Sequence, residues 1–162
     1  MGPGDAFSEI TGDLDYAMLV VTASDGRDRA GCLVGFSTQC SFDPPRYLVC
    51  ISRANHTAGV AAGAGVVAVH ALPAERADLA RLFGEETGDR TDKFARVAWR
   101  PGPGGAPLLE ECPSWFAGRV VDRLDLGDHT GLLLEPVEAS HAPGLRPLLF
   151  SAVKDLVPGH RP

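Results

Sequence analysis

Apolar residues along this chain come in short runs, separated by glycine, proline and acidic turns, with helical spacing in only a few places. Ala17–Thr22 has β character and meets turn chemistry at Ser24-Asp25-Gly26. Ala30–Ser41 reads as one long, weakly alternating strand, halted by Asp43-Pro44-Pro45. Tyr47–Ser52 is continuously apolar up to Ile51, as expected of a strand covered on both faces. Asn55 is then a good helix N-cap for a small-residue helix, Thr57–Ala62. Val66–Leu72 returns to strand character. Pro73 suits the first turn of a helix in which Leu79, Leu82 and Phe83 share one face and which Gly84 ends. Thr91–Arg96 reads as a further turn, and Ser114–Asp122, Thr130–Glu138 and Leu148–Val153 as strands. Roughly six to eight strands with two or three short helices predict a mainly β, barrel-like domain with helical insertions. Helices and strands do not alternate regularly, which argues against a doubly wound sheet. Residues 1–13 read as a loose lead-in, 14–155 as the domain and 156–162 as a tail.

Composition narrows the partners. The chain has 162 residues, enough for one domain with a real core. Its 19 glycines and 13 prolines make near a fifth of the residues, so turns are abundant. The net charge is -6 and no Lys/Arg cluster occurs, which predicts neither nucleic acid nor an anionic membrane as partner. No apolar run follows a basic start, so the expected location is the cytoplasm. Met1-Gly2 is not a myristoylation start, because Ala6 stands where Ser or Thr is required. Ala54–Ala74 is 21 residues long and uncharged, but its histidines, proline and three glycines favour helix, turn and strand over a membrane span. The four cysteines, Cys32, Cys40, Cys50 and Cys112, show no zinc-type spacing and are expected to be buried, reduced thiols.

Chemistry concentrates in few places. Pro101-Gly102-Pro103-Gly104-Gly105 lacks the Lys-Ser/Thr of a phosphate loop, and its prolines remove amide donors, so it reads as a surface loop. Ser52-Arg53-Ala54-Asn55-His56-Thr57 leads a strand into a helix start. It gathers amides, hydroxyl and amide side chains and a guanidinium, a combination suited to phosphate; an ordinary capped helix is the alternative. His129, in Gly127-Asp128-His129-Thr130, stands at a strand entrance. Asp92-Lys93-Phe94 reads as a solvated face with one core aromatic. Gly35-Phe36-Ser37-Thr38-Gln39 has half of a hydrolase elbow but lacks its second glycine, and no Ser/His/Asp order supports hydrolysis.

Taken in order, these segments resemble the flavin reductase-like, FMN-binding split-barrel family. The resemblance rests on Val20-Val21-Thr22 with Asp25-Gly26, on Gly31 through Ser41-Phe42-Asp43-Pro44-Pro45, and on Leu48 through Arg53 with Thr57. It continues through Val67-Ala68-Val69, Leu79-Ala80 with Phe83, Asp92-Lys93-Phe94, Pro107-Leu108-Leu109, Gly127 to Thr130 and Pro147-Leu148-Leu149, covering about residues 14–153. It implies an antiparallel split β-barrel, a homodimer, and FMN, or FAD, near the subunit interface, with NAD(P)H as co-substrate. By the same resemblance the flavin ring lies along the strand that includes Gly35, Phe36, Ser37, Thr38, Gln39, Cys40 and Ser41. Ser52, Arg53, Asn55, His56 and Thr57 receive its phosphate, Lys93 and Phe94 lie near ring and phosphate, and His129 faces the nicotinamide. The chain departs from the family at Leu33, Gly35, Phe36 and Gln39, where many members carry hydroxyl residues; Ala54 and Asn55 likewise replace small hydroxyl residues.

Two functions follow from the resemblance. One is an NAD(P)H:flavin oxidoreductase, with a partner monooxygenase as the consumer of reduced flavin. The other, suggested by the more apolar Leu33-Val34-Gly35-Phe36 segment, is a module that holds flavin or another flat cofactor without fast turnover.

Overall fold

The computed structural model describes residues 2–86 and 92–157. Nine strands and three α-helices occur among them: α1 Pro3–Asp13, β1 Leu19–Ser24, β2 Arg29–Val34, β3 Ser37–Phe42, β4 Pro45–Ser52, α2 His56–Ala62, β5 Val66–Ala71, α3 Ala77–Glu85, β6 Trp99–Pro101, β7 Pro107–Leu109, β8 Trp115–Asp125 and β9 His129–Ser140. Seven strands form one antiparallel sheet in the order β2-β1-β5-β8-β9-β4-β3, and β6-β7 form a small hairpin. The long run predicted over 30–41 is thus two strands at opposite edges of the sheet. The break falls at Gly35-Phe36, where the Cys50 amide donates to the Phe36 carbonyl at 2.9 Å and draws the end of β2 toward β4. The sheet curls on itself without closing fully, which is the split barrel expected from the resemblance.

One core fills the barrel, built on Val21, Cys32, Val49, Ile51, Val67, Val69, Leu132 and Leu134. A second lies outside it, where Leu79, Ala80 and Phe83 of α3 pack with Val20, Leu72, Phe94 and Leu148. On β4 the period-two pattern buries Val49 and Ile51 while Leu48, Cys50 and Ser52, on the opposite face, stay half-exposed. That second face leads to the site described below.

Several boundaries differ from the sequence reading, each for a local reason. The lead-in is helical, because Pro3 opens α1 and the Asp5 carboxylate accepts from the Gly2 amide at 3.0 Å; none of its residues is buried. Pro73 lies in a turn closed by the Arg76 amide on its carbonyl at 2.9 Å and forms a β-bridge with Pro147, so α3 starts at Ala77. Gly84 does not end α3 but lies within it. A Cβ there would sit 2.8 Å from Leu33 Cδ2, so its absence lets α3 approach β2. Leu148–Val153 is not a strand: the Leu148 backbone bonds to both Met18 and Leu72, and the chain then coils into a 3-10 turn at Phe150–Ala152. Cys40 is exposed rather than buried, Cys50 is half-buried, and Cys32 and Cys112 are buried; all four are free thiols. Thr91 falls outside the described residues, and a 3-10 turn occupies Lys93–Arg96. No helix among the described residues is long and apolar enough to cross a membrane.

His70 pins the β6-β7 hairpin to the sheet. Fully buried on β5, its Nδ1 donates to the Val20 carbonyl at 3.0 Å and its Nε2 accepts from the Leu109 amide at 3.0 Å. Acceptance at Nε2 requires the neutral ring, and burial, outweighing the Nδ1 bond to Val20, pulls its pKa from 6.5 down to about 4. The unfolded chain takes up this proton near pH 6.5 and the folded chain does not, so the stabilisation is complete above about 6.5. It is lost progressively as pH falls toward 4. Unfolding free energy measured by denaturant titration should drop by up to about 1.4 kcal/mol per pH unit across that window. In His70→Asn the curve should start lower and be flatter.

Candidate functional site

A cavity of about 280 Å³ opens where the β2–β3 break, the half-exposed face of β4, the start of β9 and residues 150–156 converge. Tyr16 and Phe150 form one wall, stacked with ring centroids 5.0 Å apart and an interplanar angle of 11°. The Asp15 carboxylate fixes that wall by accepting the Ser151 amide at 3.0 Å and the Ser151 hydroxyl at 2.5 Å. Gly35 makes the close approach possible, since a Cβ there would lie 2.7 Å from Tyr16 Cε2. Met18, Leu33, Val34, Phe83, Val153 and Leu156 supply further apolar surface.

The polar groups come from the opposite side. Ser52 ends β4, and Asn55 caps α2, its Oδ1 accepting the Thr57 amide at 2.9 Å. His129 begins β9 after the turn at Gly127, whose φ of 118° favours glycine. Its Nδ1 lies 2.6 Å from Asp128 Oδ1, a contact that lowers the Asp128 pKa, and Nε2 has no protein partner among the described residues. Phe36 lies beside it, ring centroids 5.1 Å apart. Burial raises both cavity thiols, Cys32 to about 11, so they stay protonated near neutrality and are poor nucleophiles. Among the described residues no cluster could hold a metal ion.

Gly35, Phe36, Ser52, Asn55 and His129 are therefore brought together as the sequence suggested. The rest of the expected set lies elsewhere. Ser37 hydrogen-bonds Tyr47 Oη at 2.9 Å, and Thr38, Gln39, Cys40 and Ser41 run along the edge strand β3, away from the cavity lining. Arg53 is ion-paired with Asp125, and His56 Nε2 contacts Asp28 at 2.8 Å. Thr57, in the first turn of α2, is buried. Lys93 and Phe94 face inward: Lys93 is 3% exposed and donates to the carbonyls of Gly31 at 2.9 Å and Phe83 at 3.1 Å, and Phe94 packs edge-on against Phe83 and Trp99. Of the expected solvated face with one core aromatic, Asp92 is exposed and Phe94 is the core aromatic, whereas Lys93 is a buried anchor.

The family model of the flavin reductase like domain matches residues 11–155. The chain belongs to this family. Over 150 residues it is 32% identical to a Rhizobium meliloti protein named "Probable flavin reductase", a match over 90% of this chain and 46% of that relative. The chain thus spans about half the relative's length. It is 33% identical over 124 residues to "FMN reductase (NADH) RutF" of Bradyrhizobium diazoefficiens, covering 76% of this chain and 68% of that one. The solved NADH:FAD oxidoreductase SgcE6 of Streptomyces globisporus, in complex with NAD and FAD fragments, superposes with a TM-score of 0.81 at 26% identity, over 92% of this chain and 90% of that one.

Proposed function

We propose that this protein is an NAD(P)H:flavin oxidoreductase that seats FMN or FAD in the cavity between Phe36, His129 and the Tyr16–Phe150 wall. The observation that carries the reading is the cavity's two-sided chemistry. An apolar wall with a stacked aromatic pair suits the apolar body of a tricyclic ring, and Ser52, Asn55 and His129 offer hydrogen-bonding groups opposite it. The relatives named for FMN and FAD reduction by NADH support the same assignment.

A flavin held by the Gly35-Phe36 backbone, Ser52 and Asn55 would supply the redox chemistry, as the acceptor of a hydride equivalent from a reduced nicotinamide. The chain's contribution is alignment. The stacked Tyr16–Phe150 pair lines one side of the cavity, Cys50 and Ser52 of β4 line another, and the Asp128 contact fixes the His129 ring so that Nε2 points its hydrogen-bonding capacity outward from that contact. We assign His129 to orienting the nicotinamide or its carboxamide. The backbone at Gly35-Phe36 and the side chains of Ser52 and Asn55 are assigned to the flavin.

A homodimer fits the exposed apolar cluster in which Leu48, Leu124 and Leu126 crowd around Gly131, next to the site. Four free thiols fit a reducing cytoplasm. Because reduced flavin is oxidised by dioxygen, a partner monooxygenase suits the proposed product.

Titration of FMN and FAD into the protein should quench flavin fluorescence and raise the melting temperature. Unchanged fluorescence and melting with both flavins would contradict the assignment. Gly35→Ala forces Tyr16 off its stacking position, which should cost about 1 kcal/mol of stability by overpacking. Its flavin titration should show weaker binding than that of the unmodified protein.

A further inference from the structure

The cavity's charge is unusual for so acidic a chain. No aspartate or glutamate lines it, and one lining residue, Lys154, is a lysine. The chain has only two lysines, Lys93 and Lys154. Lys93 is committed to two buried carbonyls. The nearby guanidinium of Arg53 is taken by Asp125.

Lys154 is differently placed. It is exposed at the cavity rim, with Nζ 5.9 Å from the ring centroid of Phe150 and a single long hydrogen bond, 3.5 Å, to the Gly12 carbonyl. Asp15 is within electrostatic reach, but its carboxylate is already held by Ser151, and neighbouring Asp155 pairs with Arg81 at 3.2 Å. No carboxylate among the described residues forms an ion pair with Lys154.

We propose that Lys154 is the cationic contact for the phosphate ester of the bound nucleotide, the role that its motif suggested for Lys93. The inference rests on the flavin reductase reading of the cavity. An ammonium at the rim of an otherwise uncharged, largely apolar cavity favours an anionic ligand over its neutral analogue. The phosphate belongs to either the flavin or the nicotinamide nucleotide, and two measurements separate these.

Dissociation constants for FMN and for riboflavin, which lacks the phosphate, are measured by fluorescence titration on the unmodified protein, Lys154→Gln and Lys154→Arg. The KM for NADH is measured with riboflavin as acceptor. In Lys154→Gln we expect roughly tenfold weaker FMN binding with riboflavin unchanged, and recovery in Lys154→Arg. Unchanged FMN binding with a KM for NADH raised by a similar factor supports the same cation acting on the nicotinamide nucleotide. Equal losses for FMN and riboflavin, or no change in either measurement, would overturn the proposal. Failure of the unmodified protein to bind any flavin would remove the underlying reading together with this inference.

Discussion

Lys93→Ala should lower the melting temperature by about 6 to 20 °C while the folded fraction keeps its affinity for flavin. Lys93 is buried where β2, α3 and the 3-10 turn at Lys93–Arg96 meet, and its ammonium closes on the carbonyls of Gly31 and Phe83. The Phe83 ring beneath it adds a cation–π contact at 5.6 Å. Removing the side chain leaves two carbonyls without their partner and a hole against Phe83. An unsatisfied buried acceptor costs about 1–3 kcal/mol, and a cavity adds to this, giving about 3–5 kcal/mol. At about 2–4 °C per kcal/mol for a chain of this size, that gives the stated drop. Thermal melting and flavin titration on the same preparation separate the two roles of Lys93. Unchanged melting with lost flavin affinity would return Lys93 to the cofactor, as its motif suggests.

His129→Ala should show the opposite profile. The residue lies at the start of β9, and its side chain contacts Asp128 and Phe36 rather than either core. Melting should change little. Catalytic efficiency with NADH should fall by about a hundredfold, the lower end of what a positioned polar or acid–base group contributes. Asp128→Asn keeps the ring but loses the charge that holds it, so a smaller fall is expected. Steady-state kinetics with saturating flavin checks both variants. A His129→Ala enzyme with unaltered kcat/KM for NADH would remove the histidine from the reaction.

Local patterns carried most of the fold. The turn at Asp25-Gly26 is legible because Asp25 Oδ1 accepts the amides of Arg27 and Asp28, both at 2.8 Å, and Asn55 caps α2 as its residue type suggests. Elements defined by distant partners were not legible. Ala30–Ser41 reads as one strand because nothing in its own residues says that its halves join opposite edges of a sheet. Gly84 looks like a helix terminator because its close contact with Leu33 is tertiary.

The site divides the same way. Gly35, Phe36, Ser52, Asn55 and His129 belong to motifs and reach the cavity. Tyr16, Phe150 and Lys154 belong to no motif. Their wall depends on Asp15 and Ser151, 136 positions apart, which meet only once the chain ends are packed together. Lys93 shows the converse, since a charged residue in a motif reads as a ligand contact until the structure turns it inward.

The most direct test is an anaerobic reaction of the protein with NADH and FMN, repeated with FAD and with NADPH. The absorbances at 450 nm and 340 nm are recorded together. The expected result is protein-dependent bleaching of flavin at 450 nm, matched one-for-one by loss of reduced nicotinamide at 340 nm, for at least one pairing. Flavin that binds but is bleached by neither nicotinamide would contradict the oxidoreductase and leave a flavin-holding barrel in its place.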